Sequence, residues 1–164
     1  IDASMDDVII IACNTAHLLQ PDIEQRLNIH ITSMVDSAID YISHHYKTIR
    51  LLASPTTIRT GLYDKPLKAA GVTVLTPDKD EEQALEVIIR AVISDQAIPQ
   101  SVLDKIPTTT QYEQANAVSY INNCPSSPPI LLGCTELSCA FAEKPNTIDP
   151  INILLRYLTI KGVL

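Results

Sequence analysis

The 164-residue chain has no tryptophan and a single phenylalanine. That leaves it poor in the aromatic faces on which a nucleic-acid platform stacks bases. It has no cluster of lysine and arginine, and its formal net charge is −7. A nucleic-acid partner is therefore not expected. No apolar run approaches the roughly 20 residues of a membrane-spanning helix, so no membrane partner is expected either. None of the four cysteines, at positions 13, 124, 134 and 139, falls in a C-x-x-C pair. The chain also lacks the turn-rich look of a disulfide scaffold, and reduced thiols in a cytoplasmic protein are expected. There is no initiator Met: the chain opens on IDASMDD, which reads as the end of a helix running into a strand. A fragment is expected, whose native start, with or without a signal peptide, is not shown.

What is present is a hydrophobic content of 46%, enough for a core, in a length that suits one domain or two small ones. Short unbroken apolar runs alternate with helical patterns. Val8–Ala12, Ile29–Thr32, Thr48–Ala53, Val72–Thr76 and Ile130–Gly133 read as strands. Ala16–Leu27, with Asn14 or Thr15 as its cap, Val35–Tyr46, Thr57–Ala70 ended by Gly71, Asp80–Ser94 and Thr108–Asn122 read as helices. Asp149-Pro150 is a cap followed by a first-turn proline, and opens a last helix to about Thr159. Strands that are apolar throughout and alternate with helices predict an α/β fold with parallel sheets flanked by helices. Ligands of such sheets sit beyond the carboxyl ends of the strands.

Three polar mouths fall at those ends. The first is IIIACNTAH (Ile9–His17), the second is LLASPTTIRTGLY (Leu51–Tyr63), and the third is ILLGCTELS (Ile130–Ser138). A lone cysteine ending a strand is most simply a small buried hydrophobe. Here the arrangement of strand, cysteine, threonine and helix start occurs twice, at Cys13 and Cys134. A helix start lowers a thiol pKa and offers N–H groups to an anion. Metal binding is disfavoured, because neither Cys134 with Cys139 nor Cys13 with His17 has zinc-pair spacing. A Cys13–His17 nucleophile pair remains open against a helix-side hydrogen bond from His17. His30, His44 and His45 read as solvated or boundary residues. Ser54, Thr56 and Thr57 open a helix; Thr56 or Thr57 is expected to cap it, and all three hydroxyls suit a carboxylate. The PDKDEE stretch (Pro77–Glu82) reads as an acidic first turn that favours the helix dipole.

Taken together, ACNTAH, LGCTELS, GLY after a Thr-rich loop and TPD after the next strand resemble the aspartate/glutamate racemase superfamily, over nearly the whole chain. His17 and the run Cys134-Thr135-Glu136 resemble the aspartate racemase branch and its broad-specificity relatives more than the glutamate racemases. The resemblance implies two similar α/β lobes with the active site in the cleft between them. Residues 1–46 with 149–164 would be the remainder of the N-terminal lobe and 47–148 the C-terminal lobe. It implies a cofactor-independent enzyme, an amino acid as the small-molecule partner, and a homodimer as the assembly to look for. Cys13 and Cys134 would be the acid and base on opposite faces of the α-carbon, each with a lowered or tunable pKa. Asn14, Thr15, Ser54, Thr56, Thr57, Thr135 and Glu136 would bind substrate. Cys124 and Cys139 would have no role. The chain departs from the family in two places. The family's strand and Gly-rich loop ahead of residue 1 are absent, and the position of a substrate-holding lysine falls at Ile93, with Arg90 one turn earlier. A non-catalytic relative, or a Cys-dependent hydrolase or decarboxylase of the same superfamily, stays open as an alternative.

Overall fold

The structure is a computed structural model that describes residues 8–106, 127–141 and 144–163. The helix expected over Thr108–Asn122, together with Cys124, lies outside the described residues. The fold is α/β, and every strand pairing is parallel. Strands β1 (Ile9–Ile10) and β2 (Ile31–Thr32) form a small ribbon. Strands β3 (Thr48–Ala53), β4 (Thr73–Leu75), β5 (Ile130–Gly133) and β6 (Thr147–Ile148) form a four-stranded sheet in the order β4-β3-β5-β6. The helices are α1 (Gln20–Leu27), α2 (Met34–His45), α3 (Pro55–Thr60), α4 (Asp64–Ala69), α5 (Lys79–Ile93), α6 (Gln100–Leu103), α7 (Thr135–Phe141) and α8 (Pro150–Ile160). None of them is long and apolar enough to cross a membrane, among the described residues.

The unbroken apolar strands are explained by burial of both faces of the larger sheet. Side chains alternate along a strand, so Ile49, Leu51 and Ala53 of β3, with Leu131 of β5, face one layer. There they meet Met34, Val35, Ala38 and Ile42 of α2 and Leu154 and Leu158 of α8. Leu52, Ile130 and Leu132 face the other layer, against Ala84, Leu85 and Ile88 of α5 and Leu137 and Phe141 of α7. Helix α2, grouped by sequence with residues 1–46, thus shares its core with the four-stranded sheet. Helix α8 packs on α2 and also touches β5.

Several element ends differ from expectation, each for a local reason. Residues Thr15–Leu19 form a 3-10 turn, and the α-helix begins only at Gln20, where Pro21 occupies the first turn. Proline has no N–H to offer, and the first turn is where none is needed. The span Thr57–Ala70 splits into α3 and α4 because Gly61 takes a left-handed conformation, φ 71°, which a residue without Cβ adopts freely. The cap of α3 is Ser54, whose hydroxyl accepts from the Thr57 N–H at 3.2 Å, rather than Thr56 or Thr57. Asp78 and Glu81 form a reciprocal capping box at the start of α5. Strand β6 and the short α6 were not expected. Asp149 caps α8 with Pro150 in its first turn, as the sequence implied.

Gly133 closes β5 at a place with little room for a side chain. A Cβ there would lie 2.9 Å from the Ala53 Cβ and 3.0 Å from Leu51 Cδ1. Ala53 pairs directly with Gly133 across the sheet, so the strands must part to admit a methyl. Gly133→Ala is expected to destabilise the protein by about 1–3 kcal/mol, the usual cost of overpacking. Urea denaturation checks this, and an unchanged midpoint would show that the strands yield freely.

Candidate active site

Because Ala53 pairs with Gly133, the residues that follow them, Ser54 and Cys134, emerge side by side at the carboxyl end of the sheet. The small ribbon brings Asn14 and Thr15 to the same end. Thr15 Oγ1 lies 3.3 Å from Ser54 Oγ and 3.0 Å from Thr57 Oγ1, and Ser54 Oγ donates to Thr57 Oγ1 at 3.0 Å. Three of the residues expected to bind substrate therefore form one hydroxyl triangle across two sheets. Thr56 does not join it, since its hydroxyl accepts from Arg59 Nη2 at 3.4 Å.

Asn14 is not a helix cap: it has helical backbone angles and no capping bond. Its side-chain oxygen instead accepts a hydrogen bond from the Tyr63 hydroxyl. Tyr63 is fully buried. Burial pushes its phenol above its ordinary value, helped by the charges of Asp149 and Asp36, so it stays a neutral donor. The Tyr63 ring also lies against Gly133, where a Cβ would sit 3.3 Å from Cε2. One buried chain of contacts, Asn14–Tyr63–Gly133, thus ends one residue from Cys13 and one residue from Cys134. Sequence reasoning missed Tyr63. Its signal was a tyrosine directly after Gly61-Leu62, in a stretch read as continuous helix.

The two thiols have different surroundings. Cys13 is exposed. His17 Nδ1 donates to the Cys13 carbonyl oxygen at 2.8 Å, so the ring serves the backbone and not the thiol; the Cys–His pair is not formed. His17 Nε2 is buried and has no hydrogen-bond partner among the described residues. Cys134 is buried, and its Sγ donates to Glu136 Oε2 at 2.8 Å. Burial, then the hydrogen bond and charge of Glu136, push its thiol up to about 12. The expectation of a lowered thiol pKa is corrected here: backbone N–H groups of Glu136 and Leu137 do pull it down, but burial and an anionic neighbour outweigh them. Burial alone would raise the Glu136 carboxyl, yet the Cys134 thiol, a backbone N–H and the Thr135 hydroxyl hold it below the ordinary carboxylate value. Thr135 Oγ1 donates to the same Oε2 at 3.2 Å.

Cys13, Cys134 and Cys139 are free thiols. No group of three or more His, Cys, Asp or Glu side chains is placed to hold a metal ion, among the described residues. Ile93 is 68% exposed at the end of α5. Arg90 pairs with Glu86 on the surface at 2.7 Å. A groove of about 690 Å³ lies apart from the thiols, between α2 and α8, lined by Asp36, Asp40, Tyr41, His44, Ile153 and Arg156 among others.

With this geometry in place, comparison with known proteins defines the class. The family model described as Asp/Glu/Hydantoin racemase matches residues 2–158, and the chain belongs to that family. It is 29% identical over 147 residues to the broad specificity amino-acid racemase RacX of Bacillus subtilis (strain 168), a match over 89% of this chain and 59% of that protein. The fold is shared with Picrophilus torridus aspartate racemase, with a TM-score of 0.63 and 20% identity over 95% of this chain and 62% of that one. It is shared also with an aspartate racemase homologue from Pyrococcus horikoshii OT3, with a TM-score of 0.66 and 23% identity over 95% and 66%. The chain thus spans 59% of the curated relative's length and 62% and 66% of these two structures.

Tyr63→Phe would leave the buried Asn14 oxygen without its donor. An unsatisfied buried acceptor costs about 1–3 kcal/mol, and a loss of that size is expected in urea denaturation. Stability equal to wild type would show that the bond adds nothing.

Proposed function

We propose that this chain carries both catalytic thiols of a cofactor-independent amino-acid racemase. Cys13 and Cys134 serve as acid and base on opposite faces of the substrate α-carbon. Racemisation removes the α-proton from one face and returns a proton to the other, so it needs two groups, one entering as thiolate and one as thiol. The observation that carries this reading is the convergence of both cysteine-bearing strand ends on Asn14–Tyr63–Gly133 and on the hydroxyls of Thr15, Ser54 and Thr57. The sulfurs are proposed to face one another across a gap that admits one α-carbon. The hydroxyls, with Asn14, Thr135 and the N–H groups where helices begin, would hold the α-carboxylate and the charge that develops on it. Family membership supports an isomerase, and the names of its relatives support an amino acid as substrate.

The proposed substrate is a small acidic or polar amino acid. Ile93 at the lysine position supports broad use over strict aspartate specificity. A cytoplasmic homodimer completes the proposal.

The test is deuterium wash-in at the α-carbon with chiral chromatography over a panel of D- and L-amino acids. Wild type is expected to exchange both enantiomers of its substrate. Cys13→Ser and Cys134→Ser should each lose nearly all racemisation, on the order of a hundredfold or more, the scale of a lost general acid or base. Each single mutant should retain elimination from a substrate with a leaving group, and the two should prefer opposite enantiomers. Near-normal racemisation by either mutant would sink the two-thiol reading, and turnover of branched apolar substrates alone would sink the substrate assignment.

A further inference from the structure

We propose that Glu136 is the positioning residue that keeps the proton on Cys134 in the resting enzyme, so that Cys134 is the acid and Cys13 the base toward the enantiomer whose α-hydrogen faces Cys13; the order of events rests on the two-thiol reading above. Glu136 was grouped by sequence with the substrate contacts. In the structure its Oε2 is already engaged, receiving the Cys134 S–H at 2.8 Å and the Thr135 hydroxyl at 3.2 Å. Two donors on one oxygen fix the carboxylate against the sulfur.

The surroundings leave the pair to itself. Cys134 packs in a cluster with Leu52, Ala84, Leu85, Ile88 and Leu137. Helix α5, which lies against α7, turns its apolar residues to this cluster. Of its acids, Glu81 pairs with Arg50 and Glu86 with Arg90, each at 2.7 Å, while Asp80 and Glu82 stand in its first turn. Glu136 is the one charged group among the described residues that acts on the thiol. Removing the Cys134 proton would set a thiolate within hydrogen-bond distance of a carboxylate, and like charges that close oppose ionisation strongly.

For the enantiomer whose α-hydrogen faces Cys13 the order of proton transfer is then set, and the opposite enantiomer runs the same steps in reverse. The Cys13 thiolate takes the α-proton and becomes a thiol. The Cys134 S–H bond breaks as its proton passes to the opposite face of the carbanion. Cys134 is left as a thiolate beside Glu136, and it recovers a proton from water while Cys13 releases one to water. No proton is gained or lost over the cycle.

The test is the pH dependence of Cys134 alkylation by iodoacetamide, read by peptide mass spectrometry in wild type and Glu136→Gln. Glutamine keeps the size and an acceptor oxygen but not the charge. The alkylation midpoint of Cys134 is expected to fall by about one pH unit or more, which is about tenfold faster labelling at a fixed pH below the midpoint. Cys139, exposed on the same helix, is the internal control and should label as before. Mere loosening of α7 would speed labelling of Cys134 at every pH with the midpoint in place. In racemisation, the alkaline limb of the kcat/KM profile should move down with the midpoint while the acid limb stays, since the limbs report the essential acid and base. An unmoved or raised midpoint overturns the pairing itself. Alkylation needs no turnover, so a lowered midpoint in a protein that racemises nothing would overturn the catalytic order separately.

Discussion

The site depends on one buried hydrogen bond, from the Tyr63 phenol to the Asn14 side chain. The ribbon that carries Cys13 has little to hold it: β1 and β2 pair over two residues each, and α1 buries none of its side chains. Two-stranded ribbons of this kind are marginal on their own. A phenol buried to completion must find an acceptor, and Asn14 is where it finds one. Tyr63 comes from the loop that Gly61 opens between α3 and α4, so the left-handed glycine is what turns a would-be helix into a bracket between the two sheets. The hydroxyl triangle of Thr15, Ser54 and Thr57 makes the same junction a few residues away, and Gly133 gives the ring its space.

The middle of β3 is fixed by charge. Arg50 lies in a strand that is otherwise apolar, is almost wholly buried, and meets Glu81 at 2.7 Å. Glu81 is doubly used: one oxygen takes Arg50 and the other accepts from the Asp78 N–H in the capping box. A buried pair of this kind adds little net stability over an apolar substitute, but losing one partner strands a buried charge at a cost of about 3–5 kcal/mol. Its effect is registration. The start of α5 is tied to the middle of β3, and this sets which face of α5 lies along Leu52, Leu132 and Cys134.

The sheet architecture was legible because burial on both faces writes a plain signal: Thr48–Ala53 and Ile130–Gly133 were read with the ends they have in the structure. The last helix was legible from Asp149-Pro150. What could not be read was everything that depends on where one side chain meets another. Gly61 lay inside a span read as one helix, yet its left-handed conformation ends α3 there. Asn14 looked like a cap, yet its amide serves Tyr63 from the other sheet. Strand β6 is two residues long, below the length at which alternation carries information. For the site, the sequence placed both cysteines and the hydroxyls at strand ends because topology alone puts ligands there. It also supplied the helix-start argument for acidic thiols, and at Cys134 that argument failed because Glu136 and the apolar cluster around the sulfur outweigh a seven-residue helix. Arg50 inside an apolar strand, with an acidic helix start later in the chain, was a readable sign of a buried pair that went unused.

In the proposed site, selectivity follows from which substrate groups the chain can address. Hydroxyls and backbone N–H groups at helix starts bind a carboxylate, and every amino acid presents one at the α-carbon. Reading a second, distal carboxylate takes a cation held in place. Ile93 is apolar and exposed, and Arg90 is occupied by Glu86. A pocket that grips the α-carboxylate and only brushes the side chain discriminates poorly, since a methylene more or less is worth only about 1–3 kcal/mol. On the proposed reading, side-chain tolerance would be the default outcome of the scaffold, and strict recognition of one acidic amino acid would need an added charge. The proposed chemistry at the α-carbon asks nothing of the side chain beyond room.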